Sequence, residues 1–362
     1  MSRRILILSN CSAGLYGFRR CLLERFLEED SVFVSVPDSG RMEELRALGC
    51  RVESVHIDRR GTNPLRDGRL LVYYAALLRR VKPDLVITYT VKPNIYGGIL
   101  CRLLGVRYAV NVTGLGSAFA RKGWLRRLVT WLYRGALRDA QTVFFENEDD
   151  CRVMLDDGIV CQKQCRVVMG AGVDLRVYAP AAYPREGETL RFLFLGRVMR
   201  EKGMDELLLA MKRLRAEGVM CTLDVVGRCE EDYANAIAKG SAEGWLRYHG
   251  HQSDVRAFIV QSHCLVLPSY HEGMANANLE CAAMARPLIT SDIPGCREAV
   301  EDGVSGFLCA ARDEESLYRV MKRFAALSHE MRTAMGQAGH RRMKELFDKE
   351  KVVQATVEGL ER

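Results

Sequence analysis

Two carboxylates and a glycine lie where a short apolar segment gives way to a helical pattern. Residues 263–267 form an apolar run of strand type, and Pro268 ends it. Gly273 follows Glu272 and lets the backbone approach a ligand closely. From Glu272 onward, apolar residues recur at spacings of three and four, which predicts a helix carrying Glu280 just over two turns later. The amino terminus of such a helix attracts anions, phosphate above all.

Acidic side chains beside a phosphate site need other partners, and the hydroxyls of a sugar or a ribose are suitable hydrogen-bond donors. The alternative is a capped helix in which Glu272 favours the macrodipole and Glu280 is solvated. A second turn in the same half of the chain favours the ligand-binding interpretation. There Arg197 and Lys202 follow a predicted strand over 191–195, in a glycine-bounded loop before a helix. Both cations can converge on one diphosphate, with surface charge as the alternative.

The elements that must position these residues alternate along the chain. Strands and helices follow one another in both halves, which indicates parallel sheets with ligands beyond the carboxyl ends of the strands. The first predicted strand, over 4–8, leads into a small-residue loop that contains Gly14 and then into a helix. Gly14 could let the backbone meet a phosphate, and a plain turn is the alternative. The loop lacks the G-x-G-x-x-G pattern, so a dinucleotide site is not supported.

Charge is unevenly placed along the 362 residues, a length sufficient for two domains. The net charge is +7, yet residues 59–138 alone hold 16 basic and only 2 acidic residues. Such a segment favours an anionic partner, namely nucleic acid, anionic lipid or a phosphorylated substrate. A solvated basic face without a partner is the alternative.

A helix predicted over 122–138 concentrates this charge on one side. Tryptophan rings at headgroup level with guanidinium groups on phosphate are typical of an interfacial helix, so contact with a membrane surface or a lipid diphosphate is expected. In the alternative, the two tryptophans pack under a neighbouring loop. The aromatic and basic side comprises Trp124, Arg127, Trp131, Arg134 and Arg138, and the aliphatic side comprises Leu125, Leu128, Val129, Leu132 and Ala136.

Other features exclude classes of function. The 13 cysteines show no metal-ligand spacing, and neither a signal peptide nor an apolar stretch of membrane-spanning length is found, so a reduced cytosolic protein is expected. The acidic cluster over 146–150 is predicted to cap a helix. Because no Asp-x-Asp triplet occurs, we expect no essential divalent metal, and we expect no cofactor.

The segment 269–280, SYHEGMANANLE, resembles the E-x7-E motif of retaining glycosyltransferases of family 4, which have the GT-B fold. Residues 196–203 are similar to the family's donor-diphosphate clamp, and residues 170–174 to its G-x-G-V-D loop. Along nearly the whole chain, the sequence is most similar to bacterial members that add an N-acetylhexosamine to an undecaprenyl-diphosphate-linked sugar. The diacetylbacillosaminyl-diphospho-undecaprenol N-acetylgalactosaminyltransferases are the type that it resembles.

The resemblance implies an α/β architecture of two doubly wound, Rossmann-like domains that face a central cleft. An acceptor-binding domain is expected at 1–182 and a nucleotide-sugar-binding domain at 183–340, with a helix over 341–362 returning to the first domain. The implied reaction moves an N-acetylhexosamine, expected to be GalNAc, from a UDP-sugar to a lipid-diphosphate-linked sugar. The implied location is cytoplasmic, peripheral on the inner face of the cytoplasmic membrane, without a nucleic acid partner.

Residue roles follow from the same resemblance. Glu272 would accept from donor-sugar hydroxyls and Glu280 from the ribose, while Arg197 and Lys202 stabilise the leaving UDP in place of a metal. Glu272, Arg197 and Lys202 are thus the expected catalytic residues, and no general base is assigned. Further nucleotide-sugar contacts are expected at Gly14, His249, Gly273, Met274 and Asn276, and acceptor contacts at Lys92, Asn111, Thr113, Arg127 and Arg134.

Two positions depart from the family pattern. Asn278 stands where leucine is usual, and Ala285 stands where glycine is usual. Both ends of the E-x7-E motif are intact, so the departures bear on the identity of the donor rather than on activity. A UDP-N-acetylglucosamine 2-epimerase of similar fold is one alternative, although it would need no lipid-facing helix. A nucleotide-sugar-binding protein without catalysis is another, which the intact acids and cations of the two turns argue against.

Overall fold

The computed structural model describes residues 2–58, 63–115, 119 and 123–361. Its contacts divide the chain into two compact units, Met1–Ala171 with Glu350–Arg362, and Gly172–Lys349. The division after Ala171 lies earlier in the chain than the domain boundary that we predict after residue 182. The last residues of the chain belong to the first unit.

The first unit contains a seven-stranded sheet in which every pairing is parallel. Its strand order is β3-β2-β1-β4-β5-β6-β7. The strands are β1 Arg4–Leu8, β2 Ser31–Val36, β3 Arg51–Ser54, β4 Leu85–Tyr89, β5 Tyr108–Val112, β6 Thr142–Phe145 and β7 Cys165–Val167.

Helices cover both faces of this sheet, which is why β1 from Ile5 to Leu8 and the whole of β4 are buried. Leu6 and Leu8 pack on one face, against helices α3 to α5, and Ile5 and Ile7 pack on the other, against α1 and the last helix. The helices of the first unit are α1 Ser12–Leu27, α2 Met42–Ala47, α3 Pro64–Val81, α4 Gly98–Leu104 after a π-helical turn at Pro93–Gly97, α5 Trp124–Leu137 and α6 Glu148–Asp156.

The second unit contains a six-stranded sheet, also parallel throughout, with the order β10-β9-β8-β11-β12-β13. Its strands are β8 Leu190–Leu195, β9 Cys221–Val226, β10 Leu246–Tyr248, β11 Cys264–Leu267, β12 Leu288–Ser291 and β13 Gly306–Cys309. Its helices are α7 Met204–Ala216, α8 Ala234–Ala242, α9 Arg256–Gln261, α10 Asn276–Ala283, α11 Glu314–Ala325 and α12 His329–Leu346, and α13 Lys349–Leu360 leads back to the first unit.

The last helix joins the first sheet through its far end. Thr142 Oγ1 donates to the Gly359 carbonyl at 2.7 Å, and a Cβ atom at Gly359 would lie 2.7 Å from the Phe144 ring. Glycine at this position therefore lets α13 lie flat on β6. No helix in the described part of the chain has both the length and the apolarity needed to cross a bilayer.

Each sheet has one point at which its strand order reverses. The reversal lies between β1 and β4 in the first unit and between β8 and β11 in the second. In open parallel sheets, the loops that follow such a pair of strands leave a crevice in which ligands bind. In the second unit these are loops 196–203 and 268–275, the two turns that carry the predicted cations and acids.

Candidate functional site

Loop 268–275 touches loop 196–203 on one side and the segment after β12 on the other, and glycine occupies both contact points. Gly203 has φ +73°, and a Cβ atom there would lie 2.1 Å from the Pro268 carbonyl oxygen. Gly295 has φ +81°, and its Cβ atom would lie 2.5 Å from the Gly273 carbonyl oxygen. Loop 268–275 is therefore held between two neighbouring backbones, and side chains at either glycine would push it out of place.

Glu272 and Lys202 form an ion pair across the two loops. Lys202 Nζ contacts Glu272 Oε1, and both side chains are largely buried. Ser269, which is fully buried, donates from its hydroxyl to the same Oε1 at 2.7 Å. One carboxylate oxygen thus takes two donors, which fixes the orientation of Glu272 at the carboxyl edge of the sheet.

Helix α10 begins at Asn276, later than the sequence pattern predicts. Ala275 precedes it without any side-chain cap, and no acidic residue lies in the first turn. The Ala275 N–H donates to the Gly295 carbonyl at 2.8 Å. The Met274 side chain is buried in the core. An uncapped amino terminus keeps its positive end for an anion, and the loop that leads into it carries Glu272, the partner of Lys202.

Glu280 lies on α10, and it is only partly exposed rather than solvated as in the capped-helix alternative. Burial raises the pKa of its carboxyl from 4.5 to about 7, against the lowering effects of Tyr178 and Lys349. A carboxylate in such surroundings gains from a ligand that donates hydrogen bonds to it, because the donors replace the water that burial removes.

Arg197 lies in the 196–203 loop but pairs away from Glu272. Its guanidinium donates to Glu230 Oε2 at 2.9 Å, and about half of its side chain is exposed. Gly227, which directly follows β9, lies against the start of the same loop. A Cβ atom there would lie 1.7 Å from the Gly196 carbonyl oxygen. The structure therefore brings together Lys202 and Glu272 in the loop that leads into α10, while Arg197 forms a different ion pair with Glu230.

His249 lies at the carboxyl end of β10, next to the same edge. Its Nε2 is 2.7 Å from Asp224 Oδ1, and its ring lies 4.7 Å from the Phe258 ring. The main-chain N–H of His249 donates to Val225 at 2.9 Å. The imidazole is thus held by an acid and an aromatic ring, both of which our sequence analysis missed.

The two departures from the family pattern have structural roles. Asn278 is fully buried, not facing water, and donates from Nδ2 to Thr290 Oγ1 at 3.2 Å. Ala285 adopts a left-handed conformation with φ +58°, where glycine would be unstrained. Arg286, with no exposed surface, then donates to carbonyls of α9, of the α10 end and of residues 181 and 182.

Gly14 lies within helix α1 rather than in the loop that we predict. Helix α1 begins at Ser12, and the Gly14 N–H donates to the Cys11 sulfur at 3.2 Å. The nearest atom to a Cβ at Gly14 would be that sulfur, at 3.4 Å. The structure thus gives this N–H a partner within the chain, at the reversal point of the first sheet.

Of the predicted acceptor residues Lys92, Asn111 and Thr113, the first two are largely internal. Lys92 Nζ bonds Asp67 Oδ1 at 2.6 Å, and Tyr96 donates to the other oxygen of that acid at 2.8 Å. Asn111 is buried, and its Nδ2 has no partner among the described residues, whereas Thr113 is partly exposed. Residues 116–118 lie outside the described residues.

Helix α5 exposes the aromatic and basic side that the sequence predicts. Trp124 is 74% exposed and Trp131 69% exposed. Leu125 and Leu128 are exposed too, so the expected aliphatic side is only partly internal. Arg127 is exposed, while Arg134 donates to the main-chain oxygen of Asp157, at the end of α6.

The acidic cluster over 146–150 splits into two parts. Asn147 caps α6 by accepting from the Asp150 N–H at 2.8 Å, as expected of a cap. Glu146 instead lies buried and accepts from Arg19 at 2.6 Å. Across the described residues, no group of three or more His, Cys, Asp or Glu side chains could hold a metal ion.

Some of the missed residues carry a signal in the sequence. Asp224 is the only charged residue in the otherwise apolar or hydroxylic run 221–226, and an acid inside a buried parallel strand calls for a partner. Ser269 lies three residues before Glu272, a spacing at which a loop hydroxyl can reach back to a carboxylate. Glu230 and Gly295 have no comparable signal, since their contacts depend on tertiary packing.

Two protein-family models match the chain. The model described as glycosyl transferases group 1 matches residues 189–326, and the model described as glycosyl transferase 4-like domain matches residues 20–168. Together with the site at the reversal point of the second sheet, these matches define the class as glycosyltransferase. The chain belongs to glycosyltransferase family 4, with the GT-B fold, as the E-x7-E motif predicts.

Two curated relatives span most of the chain. One is the N,N'-diacetylbacillosaminyl-diphospho-undecaprenol alpha-1,3-N-acetylgalactosaminyltransferase of Campylobacter jejuni, 26% identical over 87% of each chain. The other is the UDP-Gal:alpha-D-GlcNAc-diphosphoundecaprenol alpha-1,3-galactosyltransferase of Escherichia coli, 24% identical over 85% of this chain and 84% of the relative. Among solved structures, Anabaena HepE in complex with UDP and glucose has a TM-score of 0.81 at 18% identity, covering 99% of both chains, which shows the shared fold.

Proposed function

We propose that this protein transfers an N-acetylhexosamine from a UDP-sugar to an undecaprenyl-diphosphate-linked sugar, with retention of anomeric configuration. We expect the transferred sugar to be GalNAc. The observation that carries the proposal is the contact of Lys202 with Glu272, in the loop that leads into the uncapped start of α10, at the reversal point of the second sheet. The names of the two relatives, both of which act on diphospho-undecaprenol-linked sugars, support this acceptor class.

The donor diphosphate would lie between Lys202, Arg197 and the N–H groups at the start of α10, near Gly273 and Asn276. Lys202 already lies there, while Arg197 would exchange Glu230 for the diphosphate. A cation and a helix dipole aimed at the leaving phosphate stabilise the charge that develops on it, in the role that a metal takes elsewhere. We therefore propose a clamp that needs neither a metal nor a cofactor.

The two acids would orient the donor. Glu272, held by Ser269 and Lys202, would accept from donor-sugar hydroxyls, and Glu280 from the ribose. His249 would border the nucleobase from its fixed position beside Asp224. Neither acid is a nucleophile in this proposal, because each has a binding role that holds the sugar and the ribose in place.

In the proposed step, the bond between the anomeric carbon and the diphosphate oxygen breaks, and an acceptor hydroxyl oxygen bonds to that carbon from the same face. The acceptor proton passes to the departing phosphate oxygen, so charge and atoms balance without a general base from the protein. We further propose that the acceptor is reached at the inner membrane surface, which the Trp124 and Trp131 side of α5 contacts. Lys92, Asn111, Thr113, Arg127 and Arg134 remain the proposed acceptor contacts.

The test is transfer itself. Purified protein is incubated with an undecaprenyl-diphosphate-linked sugar and a panel of UDP-sugars in the presence of EDTA, and UDP release and lipid-linked product are measured. Acceptor-dependent UDP release from one donor is expected. Conversion of UDP-N-acetylglucosamine without any lipid would instead favour the epimerase alternative, and a requirement for magnesium would overturn the metal-free clamp.

Lys202→Met provides a sharper test, with Lys212→Met, an exposed lysine on the following helix, as the matched control. Loss of one preorganised contact to a leaving group typically lowers kcat about 100-fold or more. We expect that loss in Lys202→Met only. Equal activity of both variants would remove Lys202 from the proposed clamp.

A further inference from the structure

Helices α3 and α5 lie on the same face of the first sheet. Tyr74 of α3 and Tyr133 of α5 belong to one core cluster with Val86 of β4. Helix α4 packs beside α5, since a Cβ atom at Gly98 would lie 2.8 Å from the Ala136 carbonyl oxygen. The outer sides of α3 and α5 therefore face away from the sheet in the same general direction.

Each of these two helices exposes a pair of large apolar side chains spaced seven residues apart. On α3, Leu65 is 78% exposed and Val72 72% exposed, and on α5 the pair is Trp124 and Trp131. Residues seven apart lie on one side of a helix, two turns from each other. Four large apolar side chains thus point into solvent from one layer of the unit, a pattern that marks an interaction surface.

The surroundings of these pairs are basic. Helix α5 contains no acidic residue, and the single acid of α3, Asp67, is occupied by Lys92 and Tyr96. A surface of this composition complements anionic headgroups. It opposes pairing with a second copy of itself, because an isologous contact would bring arginine against arginine. The arginines are Arg66, Arg69, Arg79 and Arg80 on α3, Arg126, Arg127 and Arg134 on α5, and Arg138 just after it. Two of those on α3 pair with acids outside these helices, Arg66 with Asp58 and Arg80 with Glu53.

A groove beside α5 offers room for a phosphate group. Its volume is about 460 Å³, and its lining includes Arg127, Thr130, Trp131 and Arg134. The Asp157 carboxylate accepts from Arg126 at 3.1 Å, which neutralises that arginine. Arg127 therefore has the position from which a guanidinium can reach an anion in the groove.

From these observations we infer that α3 and α5 together form a docking face for a bilayer that contains anionic lipids. The pairs Leu65 with Val72 and Trp124 with Trp131 enter the interfacial region. Arg69, Arg79 and Arg127 contact headgroup phosphates, and the groove holds one of these phosphates. This docking face rests on the proposed function, in which the acceptor lies in the membrane, and it names the surface that brings the protein there. Docking itself needs no acceptor and can be measured alone.

Sedimentation with vesicles tests the docking face without any acceptor lipid. The protein is expected to bind vesicles that contain phosphatidylglycerol, less so at higher salt, and only weakly to vesicles of phosphatidylcholine alone. The double variant Leu65→Ser with Val72→Ser should weaken binding about tenfold, since two exposed apolar side chains are lost. The matched control is Leu209→Ser with Met220→Ser, which removes two exposed apolar side chains from the second unit and should leave binding unchanged.

A substitution in the groove should strengthen vesicle binding instead of weakening it. Asp157→Asn frees Arg126 and should tighten binding to phosphatidylglycerol vesicles severalfold, whereas Arg127→Glu should weaken it. Free inorganic phosphate in excess should not release the protein from vesicles. If it did, the groove would be a site for soluble phosphate, and its assignment to a lipid headgroup would be overturned.

Three other results would overturn the docking face. These are vesicle binding unaffected by the α3 variant, equal binding to both kinds of vesicle, or a dimer in solution that the α3 variant dissociates, which would make a second copy the occupant. Transfer to a short-chain, detergent-soluble acceptor separates this inference from the proposed function. The α3 variant should retain that activity, whereas vesicle binding by a protein that transfers nothing would defeat the proposed function alone.

Discussion

Replacing Glu280 by glutamine should stabilise the second unit at alkaline pH while weakening the binding of a UDP-sugar. Burial raises the pKa of this carboxyl from 4.5 to about 7. Because the folded protein holds the proton more tightly than the unfolded chain, the folded state is favoured at low pH, and stability is lost as pH rises from 4.5 to 7. Glutamine stays neutral and escapes this loss.

The size of the effect follows from the shift. Raising the pKa from 4.5 to about 7 corresponds to about 3 kcal/mol at a pH where both the folded and the unfolded state are ionised. Linkage then predicts a loss of stability of about 1 kcal/mol at pH 5 and about 3 kcal/mol at pH 8 for the native chain. The stability difference between Glu280→Gln and the native protein should therefore grow by about 2 kcal/mol between pH 5 and pH 8.

Urea unfolding followed by tryptophan fluorescence measures this difference. Trp245 is buried in the second unit, whereas Trp124 and Trp131 are largely exposed in the first, so the change in emission reports mainly on the unit that holds Glu280. Glu188→Gln, at an exposed glutamate, is the control and should show no growth with pH. A difference that is the same at pH 5 and pH 8 would refute the raised pKa of Glu280.

Three further predictions concern residues around the site and the core. His263 is buried with its pKa lowered to about 4, chiefly by burial, so stability should fall as pH drops from 6.5 toward 4, by about 2 kcal/mol at pH 5, and His263→Asn should show a flatter profile in acid unfolding. Ser269→Ala removes one of the two donors to Glu272 and should lower kcat about tenfold with little change in the Kd for UDP, while Ser269→Thr should recover part of the loss in steady-state assays. An unchanged kcat in the alanine variant would show that Ser269 does not position the carboxylate. Gly203→Ala would place Cβ 2.1 Å from a carbonyl oxygen and should lower the thermal midpoint by several degrees and abolish UDP binding in calorimetry, whereas retained binding would contradict the required loop contact.

The titrations of Glu280 and His263 have opposite signs over an overlapping range of pH. Stability associated with the glutamate declines as pH rises from 4.5 to 7, and stability associated with the histidine increases from pH 4 to 6.5. The native protein should therefore show a flat stability profile in the overlap. In Glu280→Gln, stability should rise with pH because only His263 titrates, and in His263→Asn it should fall with pH because only Glu280 titrates. The two variants therefore check both pKa shifts in one set of unfolding curves.

Local order in the sequence predicts much of the fold. The apolar runs at β1, β4 and β11 are long enough to identify buried parallel strands, and the spacing in α5 identifies its exposed side. The predicted positions at which helices begin are less accurate. Gly14 lies inside α1, because the Cys11 sulfur caps that helix, and α10 starts at Asn276 because the Gly295 carbonyl takes the N–H of the residue before it. Neither cap is visible in hydrophobic periodicity.

The alternation of strands and helices along the chain, together with the E-x7-E motif, determines the class of fold and the family of this protein. Those signals are local, since they reflect helix and strand periods and the chemistry of a single turn. The tertiary structure decides that Lys202 meets Glu272, seventy residues away, because β8 and β11 are neighbours in the sheet. It also decides that Glu280 is largely removed from water and that α3 shares an exposed face with α5, since burial and exposure depend on which elements pack together.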